Sequence, residues 1–177
     1  MENPIRETIV KTANSFIGQE EIRGNLGFKD DQFEEMMKAV GWRKKQAWCA
    51  YFAELVWKLG FVHHPDSNKE LDKLFSASAV QTWKNFSNSS WLANQTPQEG
   101  AVAIWQTYRQ GNPHWTGHVA IVTGIASINR FITVEGNTNP SGGREGYTVA
   151  QKNRNLSSVN TESGLRLLGF IHPERNG

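Results

Sequence analysis

One stretch constrains this chain more than any other: Trp48-Cys49-Ala50-Tyr51-Phe52-Ala53-Glu54-Leu55-Val56-Trp57-Lys58-Leu59-Gly60. Trp48, Tyr51, Phe52, Leu55, Val56 and Leu59 recur at i, i+3, i+4, i+7, i+8 and i+11, the spacing of one apolar helical face. Gly60 stands where a C′ residue would end that helix. Cys49, the only cysteine of the 177 residues, falls in or near its first turn. Free backbone N–H groups and the positive end of the helix dipole favour a thiolate there. A lone cysteine beside an apolar face is more often a small buried hydrophobe than a nucleophile. Arg43, Lys44 and Lys45 just upstream would also lower a thiol pKa, although such a cluster is usually a solvated loop. A reactive reading therefore needs a base and an orienting group elsewhere.

The rest of the chain divides in two. Residues 4–17 read as a first helix with Ile5, Ile9, Thr12, Ala13 and Phe16 inward, Pro4 at N1 and Gly18 after it. Residues 19–29 read as loop, with Gly24 and Gly27 as breakers. Residues 30–40 read as a second helix with an acidic start and Gly41 past its end. Those acids match no EF-hand spacing. A basic linker, 41–47, leads into the Cys49 helix. His63-His64-Pro65 reads as an exposed turn, with no metal-ligand spacing around it. Residues 68–86 read as helical with a break at Ser76–Ser78, and Asn85 to Gly100 as loop. Beyond this, short apolar runs at 101–105, 118–123, 131–135, 147–150 and 166–171 alternate with turn signals, including a turn-rich stretch at 136–143. They predict an antiparallel sheet. Helices first and strands later is the α+β pattern, here N-terminal helices packed on a central antiparallel β-sheet.

The length suits a single domain, 1–177, with enough core to need no disulfide. One cysteine cannot form an internal disulfide, which is compatible with a reducing compartment. The net charge of +2 gives no basic stripe of the kind that tracks nucleic acid. The N-terminus is polar, with no apolar h-region, and no run is long enough to span a membrane. The chain is thus expected to be made in the cytoplasm without a signal peptide. Seven tryptophans are many for this length and imply either core or a stacking groove.

His118 opens its strand directly after Gly117, and small Ala120 shares its face, leaving room for a helix. A hairpin over 124–130 would set Ala120 opposite Val134 and Val122 opposite Ile132. That brings His118 to the level of Glu135–Asn137. A cysteine on a helix, a histidine on a strand and a carboxylate or amide on the next strand can then converge. In such a set the histidine takes the thiol proton and the third group fixes its tautomer. His114, in a Pro-His-Trp loop, is the rival base. Turn chemistry alone would account for Gly136-Asn137.

Trp48-Cys49-Ala50 opening a helix, Gly117-His118-Val119-Ala120-Ile121-Val122 on a strand, and Val134-Glu135-Gly136-Asn137 on the next resemble the CHAP family. These are cysteine, histidine-dependent amidohydrolases/peptidases among the papain-like cell-wall hydrolases. Gly100-Ala101-Val102-Ala103-Ile104-Trp105 is similar to the family strand before the histidine, with Ala101 where an Asp is often found. Leu168-Gly169-Phe170-Ile171 resembles its last strand. The resemblance implies a papain-like (NlpC/CHAP-type) fold with Cys49 as nucleophile, His118 as base, Glu135 orienting His118, and Asn137 as a nearby polar partner. Glu135 and Asn137 stay open as alternatives for the third member. It implies attack on an amide or peptide bond of peptidoglycan through a thioester. The Cys49 N–H would serve as an oxyanion donor and Gln46 as a weaker second candidate. Trp48 and Trp115, with Trp105 and Tyr108, would wall a substrate groove. No cofactor is implied. The NlpC relatives usually carry Asp-Cys-Ser-Gly at the nucleophile, which Trp48-Cys49-Ala50-Tyr51 does not match. A phage-type lysin and an injected effector, the latter partnered by an immunity protein, both fit; each would reach the wall by release or dedicated export. The alternative from another class is a non-catalytic wall-binding module on the same fold.

Overall fold

A computed structural model describes residues 3–139, 146–156 and 163–176. The chain opens with helix α1 (Pro4–Ser15), capped by the Asn3 side chain, which accepts from the Ile5 N–H at 3.0 Å. It ends two residues before the predicted boundary, and Gly18 turns the chain at φ +94°. The predicted loop that follows contains a small antiparallel pair, β1 (Glu21–Ile22) and β2 (Gly27–Phe28). Helix α2 (Asp31–Ala39) is capped by Asp30, whose carboxylate accepts from the Phe33 N–H. Helix α3 spans Cys49–Gly60, so Gly60 is its last residue and not the residue beyond it. Helices α4 (Pro65–Leu74) and α5 (Ala79–Ser87) are separated at 75–78, with Ser78 capping α5. His63-His64 stands at the turn before α4.

Strands β3 (Trp91–Asn94), β4 (Val102–Arg109), β5 (Asn112–Ser127), β6 (Arg130–Thr138), β7 (Thr148–Asn155) and β8 (Gly164–Arg175) form one antiparallel sheet in the order β3-β8-β4-β5-β6-β7. The fold is α+β, as expected. β3 lies within a predicted loop. β5 runs back through Pro113-His114-Trp115, so that segment is strand and not loop, paired with β4 as Tyr108↔Pro113. The predicted turn at 140–143 lies outside the described residues.

α3 is the helix the core is built around. Ala50, Ala53, Trp57 and Gly60 are buried as well as Phe52, Leu55 and Val56, so its apolar surface is wider than one face. A Cβ on Gly60 would fall 2.4 Å from Ile9 Cγ1, which is why α1 can lie so close. Where β2, α2 and the start of α3 meet, Phe28, Phe33, Trp42, Trp48 and Phe52 pack edge-on or tilted. Each such burial contributes roughly 1.5–3 kcal/mol. Trp57 also donates to the Gly100 carbonyl at 3.0 Å. Five tryptophans (Trp42, Trp48, Trp57, Trp91, Trp105) are buried, so the tryptophan excess is mainly core. A second cluster, including Ala103, Trp105, Ala120, Val122, Phe131 and Phe170, covers the other sheet face.

Candidate active site

β5 and β6 pair from Ser127↔Arg130 as far as Ile121↔Val134 and no further. The register is one residue off the predicted one, because β5 carries irregularities at Val122/Gly124 and Ile125/Ser127. Past Ile121↔Val134, β5 follows β4 (His118↔Trp105) while β6 follows β7 (Glu135↔Ala150). The opening between them is bridged by side chains: His118 Nε2 meets Glu135 Oε2 at 2.7 Å. Trp48 and Phe52 of the α3 end press on the same place. A Cβ on Gly136 would lie 2.7 Å from Phe52 Cβ and from Trp48 Cζ3. Gly117 is equally constrained, since a Cβ there would lie 2.1 Å from the Trp105 carbonyl oxygen.

Cys49 is the first residue of α3 and is 9% exposed. Its sulfur is hydrogen-bonded to His118 and to the backbone N–H groups of Val119 and Ala50. Since Nε2 of His118 is held by Glu135, Nδ1 is the nitrogen left to face the sulfur. Burial pushes the thiol pKa up, but the hydrogen bond and charge of His118 and the two N–H groups bring it below the ordinary thiol value. Burial pushes His118 down. The Glu135 charge and the contacts with Cys49 and Glu135 outweigh it and hold the imidazolium up to about 10. Both shifts run in the direction that favours a thiolate–imidazolium pair over a neutral thiol and imidazole.

Glu135 is fully buried. Besides His118, it accepts from Thr133 Oγ1 at 2.6 Å, Thr138 Oγ1 at 3.4 Å, and Arg154 through Nε at 2.7 Å and Nη2 at 2.6 Å. Burial raises its pKa, but the charge and hydrogen bonds of His118 and Arg154 hold the carboxyl well below the usual carboxylate range. Trp105 lies 6.0 Å from the His118 ring, and the Arg154 guanidinium sits 5.1 Å over its centroid.

Cys49, His118 and Glu135 are thus brought together. Asn137 is not part of that chain of contacts. It stands at φ +52°, in the irregular stretch between Glu135↔Ala150 and Thr138↔Thr148. Trp48 does not face a groove: none of its surface is exposed, and its indole N–H donates to Glu21 Oε2 at 2.6 Å. The Gln46 side-chain oxygen accepts from the Arg43 N–H at 2.8 Å and the Tyr51 hydroxyl at 3.2 Å, which makes it a brace of its own loop. Trp115 is 75% exposed on β5. Trp105 is buried, and Tyr108 lies under Arg166, 3.9 Å from guanidinium carbon to ring centroid. The rival base His114 is bonded to the Thr116 hydroxyl at 2.7 Å.

Thr133 and Arg154 were not found by sequence reasoning. Thr133 shares the face of Glu135 by simple alternation. Arg154 lies in the polar half of β7, where Lys152 and Arg154 are half-buried between exposed Gln151, Asn153 and Asn155. That period of two was the available signal. A cavity of about 570 Å³ at the start of α1, lined by Asn3, Arg6, Glu7, Val10, Lys11, Glu99 and Glu174, contains none of the converging side chains. Among the described residues, no group of three or more His, Cys, Asp or Glu could hold a metal ion, and no helix is long and apolar enough to cross a membrane.

No curated protein and no solved structure matches this chain. A family model does: the one described as the CHAP domain matches residues 41–137. The matched stretch begins ahead of the helix that carries Cys49 and ends two residues past Glu135, and it takes in more than half of the sequence. The chain belongs to the CHAP domain family.

Proposed function

We propose that this protein is a peptidoglycan hydrolase that cuts an amide or peptide bond of the bacterial cell wall by a thiol mechanism. CHAP membership points to an amidase or peptidase and to cell-wall hydrolysis or a related activity. The observation that carries the finer reading is the unbroken contact from the Cys49 sulfur through His118 to buried Glu135. His118 holds the thiol proton, and the Cys49 thiolate attacks the carbonyl carbon, forming a C–S bond. The imidazolium gives its proton to the departing amine as the C–N bond breaks. Water, deprotonated by His118, then releases the acyl group and restores the thiol. Glu135 keeps the ring oriented throughout. The Cys49 N–H, one of the unpaired donors at a helix start, receives the oxyanion. Exposed Trp115 offers a flat apolar face to the glycan or peptide. The reaction needs no cofactor. The whole chain is one catalytic domain, made in the cytoplasm and acting on the wall after release or export. N-acetylmuramoyl-L-alanine amidase and endopeptidase chemistry both fit the site.

Digestion of purified peptidoglycan by wild type and Cys49→Ser, with product masses read out, tests this reading. Products from wild type alone are expected, and their new termini name the bond. Products from both proteins would remove Cys49 as nucleophile. Products from neither would favour the non-catalytic wall-binding module.

A further inference from the structure

We propose that Arg154 is a positioning residue for this site: its guanidinium clamps Glu135 and keeps the buried charge chain neutral, so that His118 can both hold and release its proton. This rests on the thiol mechanism proposed above. Arg154 lies outside the stretch, 41–137, that matches the family model.

The geometry is that of a two-point clamp. Nε and Nη2 of Arg154 donate to Oε1 and Oε2 of Glu135, while its plane is supported by the Trp105 ring. A fork of this kind fixes both the position and the rotation of a carboxylate. The same Glu135 Oε2 accepts from His118, so any rotation of Glu135 would move the imidazole relative to the sulfur. Four charges run in alternation from α3 to β7: Cys49 (−), His118 (+), Glu135 (−), Arg154 (+). Lys152, the other cation on this part of β7, is turned to the Asn139 carbonyl. Without Arg154 the buried chain carries one net negative charge. Glu135 then becomes more basic and draws the His118 proton harder. An imidazolium held that tightly is a poor acid for the leaving amine. The loss of a cation also raises the thiol pKa, and it allows Glu135 itself to take a proton at the acid end.

The test is the pH profile of Cys49 alkylation by iodoacetamide, measured beside peptidoglycan hydrolysis, for wild type, Arg154→Gln and Arg154→Lys. Arg154→Gln is expected to move both limbs of the labelling profile up by about one pH unit and to slow hydrolysis about 10- to 100-fold. Arg154→Lys keeps the charge but not the fork; it is expected to restore the limbs while hydrolysing more slowly than wild type. Limbs unmoved in Arg154→Gln, with only its melting temperature lowered, would reduce Arg154 to a structural contact and overturn the proposal. If Arg154→Gln does not fold, Arg154→Lys decides: displaced limbs would overturn the charge account, and wild-type hydrolysis would overturn the clamp. Displaced limbs in Arg154→Gln from a protein whose wild type releases no products would sink the hydrolase reading and leave the Arg154 assignment standing.

Discussion

Glu135 and Glu54 are both buried, at 0% and 8% exposure, and the protein treats them in opposite ways. Glu135 sits on β6 among four partner residues, His118, Thr133, Thr138 and Arg154. Glu54 sits one and a half turns into α3, past Cys49, and accepts no hydrogen bond among the described residues. Its charged neighbours are Lys58 and Asp72, which pair with each other. Burial acts on both carboxyls in the same direction. In Glu135 the charges and donors reverse it. In Glu54, burial and Asp72 outweigh Lys58 and push the pKa up to about 7. Depth therefore does not set the charge of a buried carboxyl; the charges and donors arranged around it do. One acid is held as an anion, while the other is tolerated in the core at a pKa of about 7, about half ionised at neutral pH.

The contrast can be broken most severely at Glu135→Gln. This leaves His118 and Arg154 without their anion, and hydrolysis should fall on the order of 10²- to 10⁴-fold. Stability should drop by about 3 kcal/mol or more at pH 7. Because the folded pKa is depressed, that contribution is present above the ordinary carboxylate value and lost as pH falls below it. Denaturant melts of wild type and variant should therefore converge toward acid pH. Convergence that fails to appear would mean that Glu135 is not the charged partner assigned here.

Glu54→Gln should do the reverse. A raised carboxyl pKa costs stability as pH rises from the ordinary 4.5 through about 7. The amide removes that cost, stabilising the fold by up to about 3 kcal/mol at pH 8 and hardly at all at pH 4. Unchanged melts at pH 8 would show that Glu54 is already well partnered. Thr133→Val gives the smallest effect, removing one neutral donor from Glu135 while the charged ones remain. A loss of about 1 kcal/mol is expected, with hydrolysis within a few-fold of wild type; a collapse of activity would make Thr133 as necessary as the charged partners.

What was legible in the sequence follows the range of the interactions involved. The α3 helix and the place of Cys49 at its start are local, set by periodicity. His118 and Glu135 could be brought together from strand alternation and a hairpin, even with the register one residue off, because a side-chain bridge tolerates that error where a backbone ladder would not. The fate of Trp48 could not be read, because its indole partner Glu21 is 27 residues away on a two-residue strand. β1 and β2 are too short to carry a period. β3 was masked by its Asn- and Ser-rich surroundings. Arg154 reaches Glu135 only through the pairing of β6 with β7, which no local pattern encodes.

The parting of β5 from β6 beyond Ile121↔Val134 also has a mechanical side. The sheet is in effect two leaves, β3-β8-β4-β5 and β6-β7, stitched by backbone over most of the seam and by the His118–Glu135 contact at its end. Under the proposed mechanism the proton that His118 gives away in each turnover is part of what tightens that last stitch. Chemistry and the closure of the sheet then share one bond, and a breathing motion of the two leaves would be felt first at the imidazole.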